Sequence, residues 1–260
     1  MAAYSTMADK ADAVQSTAAA LLSLGCATCG LIPPEDWAGA TAGTIAALNR
    51  RKCIRRVGRG TVLFHQGDGV DSLYRLLDGI VLLRQLDSGG AVATPHMVSP
   101  GQTLGFRAFV DGGVHGVSAV CATDTVLCRI PADVATQAFS GSHPLERAFA
   151  RHVAAELTAT EDTLLAMTTR PVPDRLLLVF ARLCRLVGGM GENGEHRLEV
   201  PLLRADIAAL AGIARETFSR AMRGLEAEGL LRLEGEVAVL PDVAGFRRRL
   251  ELIQPGIWGS

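Results

Sequence analysis

Residues 202–231 read LLRADIAALAGIARETFSRAMRGLEAEGLL, and this stretch decides the architecture of the C-terminal third of the chain. Ile207 and Leu210 fall on the inner face of a short helix, and Ala208 is small enough to let a second helix approach closely. Gly212 stands where the chain must turn with positive φ, which glycine does without steric penalty. Past the turn, Phe218, Met222 and Leu225 recur at i, i+4 and i+7, the spacing of an inward-facing helical stripe. That phase leaves Arg215, Glu216, Ser219, Arg220 and Arg223 on the outer face. The pattern predicts a helix-turn-helix, and the segment Leu231–Leu240, folded around Glu234-Gly235-Glu236, adds a hairpin wing. Arginine can grip guanine O6 and N7 bidentately, glutamate can accept from cytosine N4, and serine can contact a base or a phosphate. The alternative for the same face is an ordinary solvated surface with i, i+4 charge pairs such as Glu216 with Arg220.

Working toward the N-terminus, Asp174–Leu186 reads as a helix, followed by a Gly188–Gly194 loop. Arg170-Pro171-Val172-Pro173 interrupts whatever precedes it, since proline removes a donor and restricts its predecessor. Before that break, from Pro144 to Thr169, Phe149, Val153, Leu157, Thr160, Leu164 and Met167 recur in steps of four and three. Such a narrow stripe is the seam of a two-stranded coiled coil, so a long helix pairing with its own copy is expected. Packing of the stripe on its own N-terminal domain is the alternative.

From Arg55 to Pro131, turn signals such as Gly67-Asp68-Gly69, Asp78-Gly79 and Ser88-Gly89-Gly90 recur at roughly ten-residue spacing, the mark of an all-β sandwich or barrel. Strands are expected over Thr61–His65, Ser72–Leu77, Ile80–Leu86, Ala91–Val98, Gly116–Cys121 and Thr125–Ile130. The fold class is therefore α+β. The expected divisions are a flexible arm over residues 1–20, a β-barrel domain with an N-terminal cysteine loop over 21–143, a dimerisation helix over 144–170, and a winged helix-turn-helix domain over 171–251.

At 260 residues the chain is long enough for two cores. A net charge of −1 means that any nucleic-acid binding must come from a local basic face. No apolar run is long enough to span a bilayer. The apolar stretch Ala18–Leu24 ahead of Cys26 lacks a basic leader, so a cytoplasmic protein without a membrane partner is expected. In that compartment six cysteines argue for thiols that are buried, reactive or metal-bound. Cys121 and Cys184 read as core residues. No catalytic triad or phosphate-binding glycine loop is visible. The Cys26-Ala27-Thr28-Cys29 motif lacks the βαβ setting of a thiol oxidoreductase, so no enzyme is expected.

The order of parts, barrel, long helix and winged helix-turn-helix, resembles the Crp/Fnr family of transcription regulators from about Leu21 to Leu250. Arg59-Gly60-Thr61-Val62-Leu63-Phe64-His65-Gln66-Gly67-Asp68 is similar to the family's first strand and turn. Arg215-Glu216-Thr217-Phe218-Ser219-Arg220 matches the E-x-x-S-R motif of its Fnr branch. The resemblance implies a jelly-roll domain of the cyclic-nucleotide-binding kind, a homodimer, and RNA polymerase as a partner. It also implies double-stranded DNA with TTGA-like half-sites, read by Glu216, Ser219 and Arg220. Cyclic AMP is not expected, because Val117 stands where a phosphate-pairing arginine belongs.

The same resemblance implies a [4Fe-4S] cluster that senses oxygen or redox state, with Cys26, Cys29 and Cys128 as ligands. The family's third N-terminal cysteine is here Glu35, so the fourth ligand is Cys53, a carboxylate such as Glu35, or a group from outside the chain. Thr160 replaces an aspartate that disfavours dimerisation in such sensors. For Cys128, which shares a strand face with Val126 and Ile130, a small buried core residue is the competing reading. Haem or nitric-oxide sensing through His65, His96 or His115, or another small effector without a cluster, is the alternative sensor.

Overall fold

The computed structural model describes residues 25–26, 41–90, 92–140, 143–187 and 194–255. The expected N-terminal arm, Cys29 and Glu35 lie outside these residues. The chain divides into two compact units, Met1–Leu86 with Met97–Leu157, and Asp87–His96 with Thr158–Ser260. This division falls inside the long helix rather than at Pro171.

In the first unit, α1 (Ala42–Arg51) opens on Thr41, whose Oγ1 accepts from the Thr44 amide at 3.0 Å. There follow β1 (Cys53–Val57), β2 (Val62–Phe64), β3 (Ser72–Asp78), β4 (Val81–Leu86), β5 (Val92–Val98) and β6 (Thr103–Leu104). A short helix α2 (Phe106–Asp111) precedes β7 (Ser118–Cys121) and β8 (Thr125–Pro131), and α3 (Ala132–Phe139) leads to the long α4 (His143–Thr169). One sheet runs β1-β8-β3-β6, and the other contains β2, β7 and β4 in that order. The pleat sorts the side chains. Tyr74, Leu76, Val81, Leu83, Leu104 and Leu127 fill the space between the sheets. Leu73, Leu77, Cys128 and Ile130 point the other way, toward α3 and α4.

The strands agree with the sequence pattern, with two additions. Cys53–Val57 carries two arginines and lacks a clean alternation, and β6 is only two residues long. Both gain their strand character from pairing: Ile54 opposes Cys128, and Arg75 opposes Thr103. Gly79, which turns β3 into β4, has φ of 92°, and a Cβ there would lie 2.6 Å from the Asp124 carbonyl oxygen, so no other residue fits.

In the second unit, α5 (Val172–Val187) is the central helix, with Leu176, Leu177, Phe180, Ala181, Leu183 and Cys184 fully buried. It packs with α7 (Arg215–Ala227) and α8 (Val243–Ile253). The Arg249 guanidinium donates twice to Asp174 Oδ1, at 3.0 and 2.7 Å, pinning α8 to the first turn of α5. The wing hairpin, β10 (Arg232–Glu234) with β11 (Val237–Leu240), forms as expected and gains a third strand, β9 (His196–Glu199), in the order β10-β11-β9. Only Leu198 of β9 is buried, so its sequence gave little sign of a strand.

The turn between α6 (Arg204–Leu210) and α7 has the predicted geometry, with Gly212 at φ 63°. Ile207, Ala208, Phe218, Met222 and Leu225 are all buried. Ala208 is 2% exposed, so Ala208→Leu has no room and should cost roughly 1–3 kcal/mol, read as a lower urea midpoint with unchanged m value. Among the described residues no helix is long and apolar enough to cross a membrane.

Candidate functional site

Helix α7 shows two faces. Phe218, Met222 and Leu225 are buried, whereas Arg215, Glu216, Ser219, Arg220 and Arg223 are all exposed. Ser219 Oγ donates to the Arg215 carbonyl at 3.3 Å, a local helical bond that water or a nucleic acid can replace. The charge pairing that would make this an inert surface is not formed: Glu216 and Arg220 are in no ion pair within the described residues. The wing differs, since Arg197 and Arg232 are engaged with Glu195 and Glu234. The first turn of α7 thus presents two arginines, a carboxylate and a hydroxyl beside the positive end of a helix dipole, the arrangement that reads base edges and phosphates.

The seam of α4 needs correcting at both ends. Phe149 does not join it: its ring packs on Phe106 at 5.7 Å and Phe139 at 5.2 Å, inside its own domain. Met167 is half-buried, with its Cε 3.3 Å from where a Cβ on Gly212 would sit. The stretch between them remains. Val153, Leu157 and Leu164 are exposed at 37%, 57% and 62%, with Thr160 half-buried among them. Leu165, at 56%, widens the stripe. Apolar exposure in a row on one helix marks an interaction surface.

Cys26 and Cys128, far apart in sequence, line one cavity of about 340 Å³ outside the barrel. The Cys26 amide donates to Asn49 Oδ1 at 2.8 Å, which holds it against α1. Both thiols are 7% exposed and packed among aliphatic residues: Cys26 beside Leu48 and Leu145, Cys128 beside Leu77 and Val126. Cys53, by contrast, is not brought to this cavity. Its neighbour Ile54 opposes Cys128, so strand alternation turns Cys53 to the other face, where its sulfur accepts from Arg55 Nε at 3.3 Å. The expectation of Cys53 as a fourth ligand is thereby corrected.

A four-iron cluster takes four ligands, usually thiolates. The described residues bring two thiols to the cavity, and among them no three His, Cys, Asp or Glu side chains gather as a metal site. Among the described residues the donor set is therefore half of what a cluster needs. Cys121 and Cys184 are core residues at 0% exposure, as expected, and burial pushes both thiols up, Cys184 to about 12.

Sequence reasoning missed the basic members of the cavity wall, Lys52, Arg75, Arg151 and His152. One signal was available: Leu73, Arg75 and Leu77 alternate on the outer face of β3, so an arginine interrupts an apolar run. Arg75 Nη1 donates to Thr103 Oγ1 at 3.0 Å, and His152 Nε2 lies 3.2 Å from the Thr103 carbonyl oxygen.

The other histidines do not form a common site. His65 is exposed and His96 is buried. His115 is stacked on Phe64 with ring centroids 3.7 Å apart. Val117 packs against the barrel core, where it offers no donor to a phosphate. Burial holds the His115 imidazole below its ordinary value of 6.5, against the pull of Asp68 and Asp71. Burial likewise lowers His152. Because the unfolded imidazoles take up protons first, stability should fall as pH drops below about 6.5 until the folded rings protonate. His115→Gln should flatten part of that acid loss, measured as Tm between pH 7 and 5.

Two family models match the chain: the cyclic nucleotide-binding domain over residues 54–142 and the Crp-like helix-turn-helix domain over residues 179–249. The chain is 25% identical over 211 residues to the CRP-like cAMP-activated global transcriptional regulator of Mycobacterium tuberculosis (strain ATCC 25618 / H37Rv), covering 81% of this chain and 94% of that one. It is 24% identical over 200 residues to the anaerobic regulatory protein of Pasteurella multocida (strain Pm70), covering 76% and 71%. Among solved structures, FixK2 from Bradyrhizobium japonicum superposes with a TM-score of 0.66 at 21% identity, over 76% of this chain and 96% of that chain. A barrel of the nucleotide-binding kind, a long helix and a two-faced recognition helix behind a glycine turn thus meet matches at both ends of one chain, and the protein belongs to the Crp/Fnr family of DNA-binding transcription regulators, not of enzymes.

Proposed function

We propose that the protein works as a homodimer, paired along Val153, Leu157 and Leu164, that reads a palindrome of TTGA-like half-sites with Arg215, Glu216, Ser219, Arg220 and Arg223. One observation carries this reading: all five side chains are exposed on one face of α7, while the opposite face is buried. Correct pairing sets two such helices about 34 Å apart, one turn of duplex. The test is fluorescence anisotropy with a duplex carrying two TTGA half-sites at that spacing, against one with the half-sites scrambled. Equal affinity for both sequences would sink the reading.

A redox function through an iron–sulfur cluster is the second reading, favoured by the convergence of Cys26 and Cys128 on one cavity. Cys26, Cys29 and Cys128 would hold the cluster, with a fourth ligand from outside the described residues. When bound, it would supply sensitivity to oxygen, since oxidation degrades it. Arg75, Arg151 and Lys52 would offset its negative charge. Anaerobically purified protein that is brown, iron-rich and bleached by air supports this reading, and colourless protein without iron retires it.

A further inference from the structure

We infer that the cavity outside the barrel is an effector site for an amphipathic monoanion, of the medium-chain or aryl carboxylate class. At about 340 Å³ it is within the range of small-molecule sites and more than twice an engineered cavity of roughly 150 Å³ that takes benzene. It is separate from the barrel interior, which is filled by Tyr74, Leu76, Leu83 and Leu127.

The wall has two chemistries. Leu48, Ile54, Leu77, Leu145 and Phe149 make an apolar chamber. A polar corner is built from Arg75, Thr103 and His152, tied together by the Arg75–Thr103 bond of 3.0 Å and the His152–Thr103 contact of 3.2 Å. Lys52 and Arg151 add basic groups to the wall. An apolar body beside an oriented guanidinium fits a chain or ring ending in one carboxylate, because arginine forks match carboxylates and hydrocarbon gains by leaving water. A cluster held by Cys26 and Cys128 would occupy this same cavity, so the two occupants exclude each other.

The position gives such a ligand a route to the output. Leu145, Ala148, Phe149 and His152 all belong to α4, at the i, i+3, i+4 and i+7 spacing of one helix face. Val153 and Leu157, the exposed seam residues, lie on the adjoining face of the same helix. A ligand that fills the cavity bears on the helix that presents the seam.

The experiment is calorimetric titration of the full-length dimer with octanoate, octan-1-ol and octylamine, after its iron content has been measured. Octanoate should bind, and about tenfold or more tighter than octanol, as a charge-assisted contact requires. Ala148→Phe should fill the chamber and abolish binding of both, with helical circular dichroism and the thermal unfolding transition kept as evidence of folding. Arg151→Gln should weaken octanoate several-fold and leave octanol unchanged. No octanoate binding, equal affinity for octanoate and octanol, preference for octylamine, or unaltered binding by Ala148→Phe would each overturn the proposal, as would stoichiometric iron. DNA affinity measured without octanoate tests the regulator reading separately, so the two can fail independently.

Discussion

Leu157→Glu should convert the dimer to a monomer and lower affinity for a two-half-site duplex by about 10²–10⁴-fold, the gain that comes from linking two binding modules. Leu157 is 57% exposed within the chain, in line with Val153 and Leu164, so the substitution removes nothing from the protein's own core. Placed in a paired seam, two carboxylates would face each other in an apolar setting, where like charges repel and neither is solvated. Sedimentation velocity reads the oligomeric state and anisotropy reads the DNA affinity. A variant that stays dimeric would move the interface elsewhere. A monomer that binds DNA as tightly as the wild type would break the link between pairing and reading.

The second large effect is expected at Arg220. It is exposed one turn past Glu216 and in no ion pair among the described residues, so Arg220→Ala leaves the fold intact. Loss of a bidentate contact to guanine should cost roughly 1–3 kcal/mol at each half-site and relax discrimination at that base pair alone. The control is a set of duplexes substituted one position at a time. A uniform loss across all of them, with a shallower salt dependence, would make Arg220 a phosphate contact.

How much of this was legible in the sequence depends on how local the determining physics is. The helix-turn-helix was readable because its signals sit within thirty residues: a small residue at Ala208, a positive φ at Gly212, and a stripe at Phe218, Met222 and Leu225. The barrel strands were readable from alternation between turns. The edge strand Cys53–Val57 was not, since its side chains do not announce a strand and its partner in β8 is far along the chain. The exposed stripe on α4 was half readable. Steps of four and three identify a stripe, but they do not say where its ends stop meeting a partner and begin packing at home, as Phe149 and Met167 do. The cavity was the least visible, because Cys26, Arg75, Cys128 and His152 come from four separate segments and share nothing in sequence. The need for a further thiolate raised Cys53 as a ligand, and only the pleat of β1 against β8 shows that it faces away from Cys128.

The contact of Met167 with the Gly212 turn has a chemical consequence. The last turn of α4 reaches the turn that precedes α7, where the Met167 terminus lies 3.3 Å from the position a Cβ on Gly212 would take. Oxidising the Met167 thioether to its sulfoxide would set a polar oxygen against the turn from which α7 departs, so the first effect of such damage is expected at that turn.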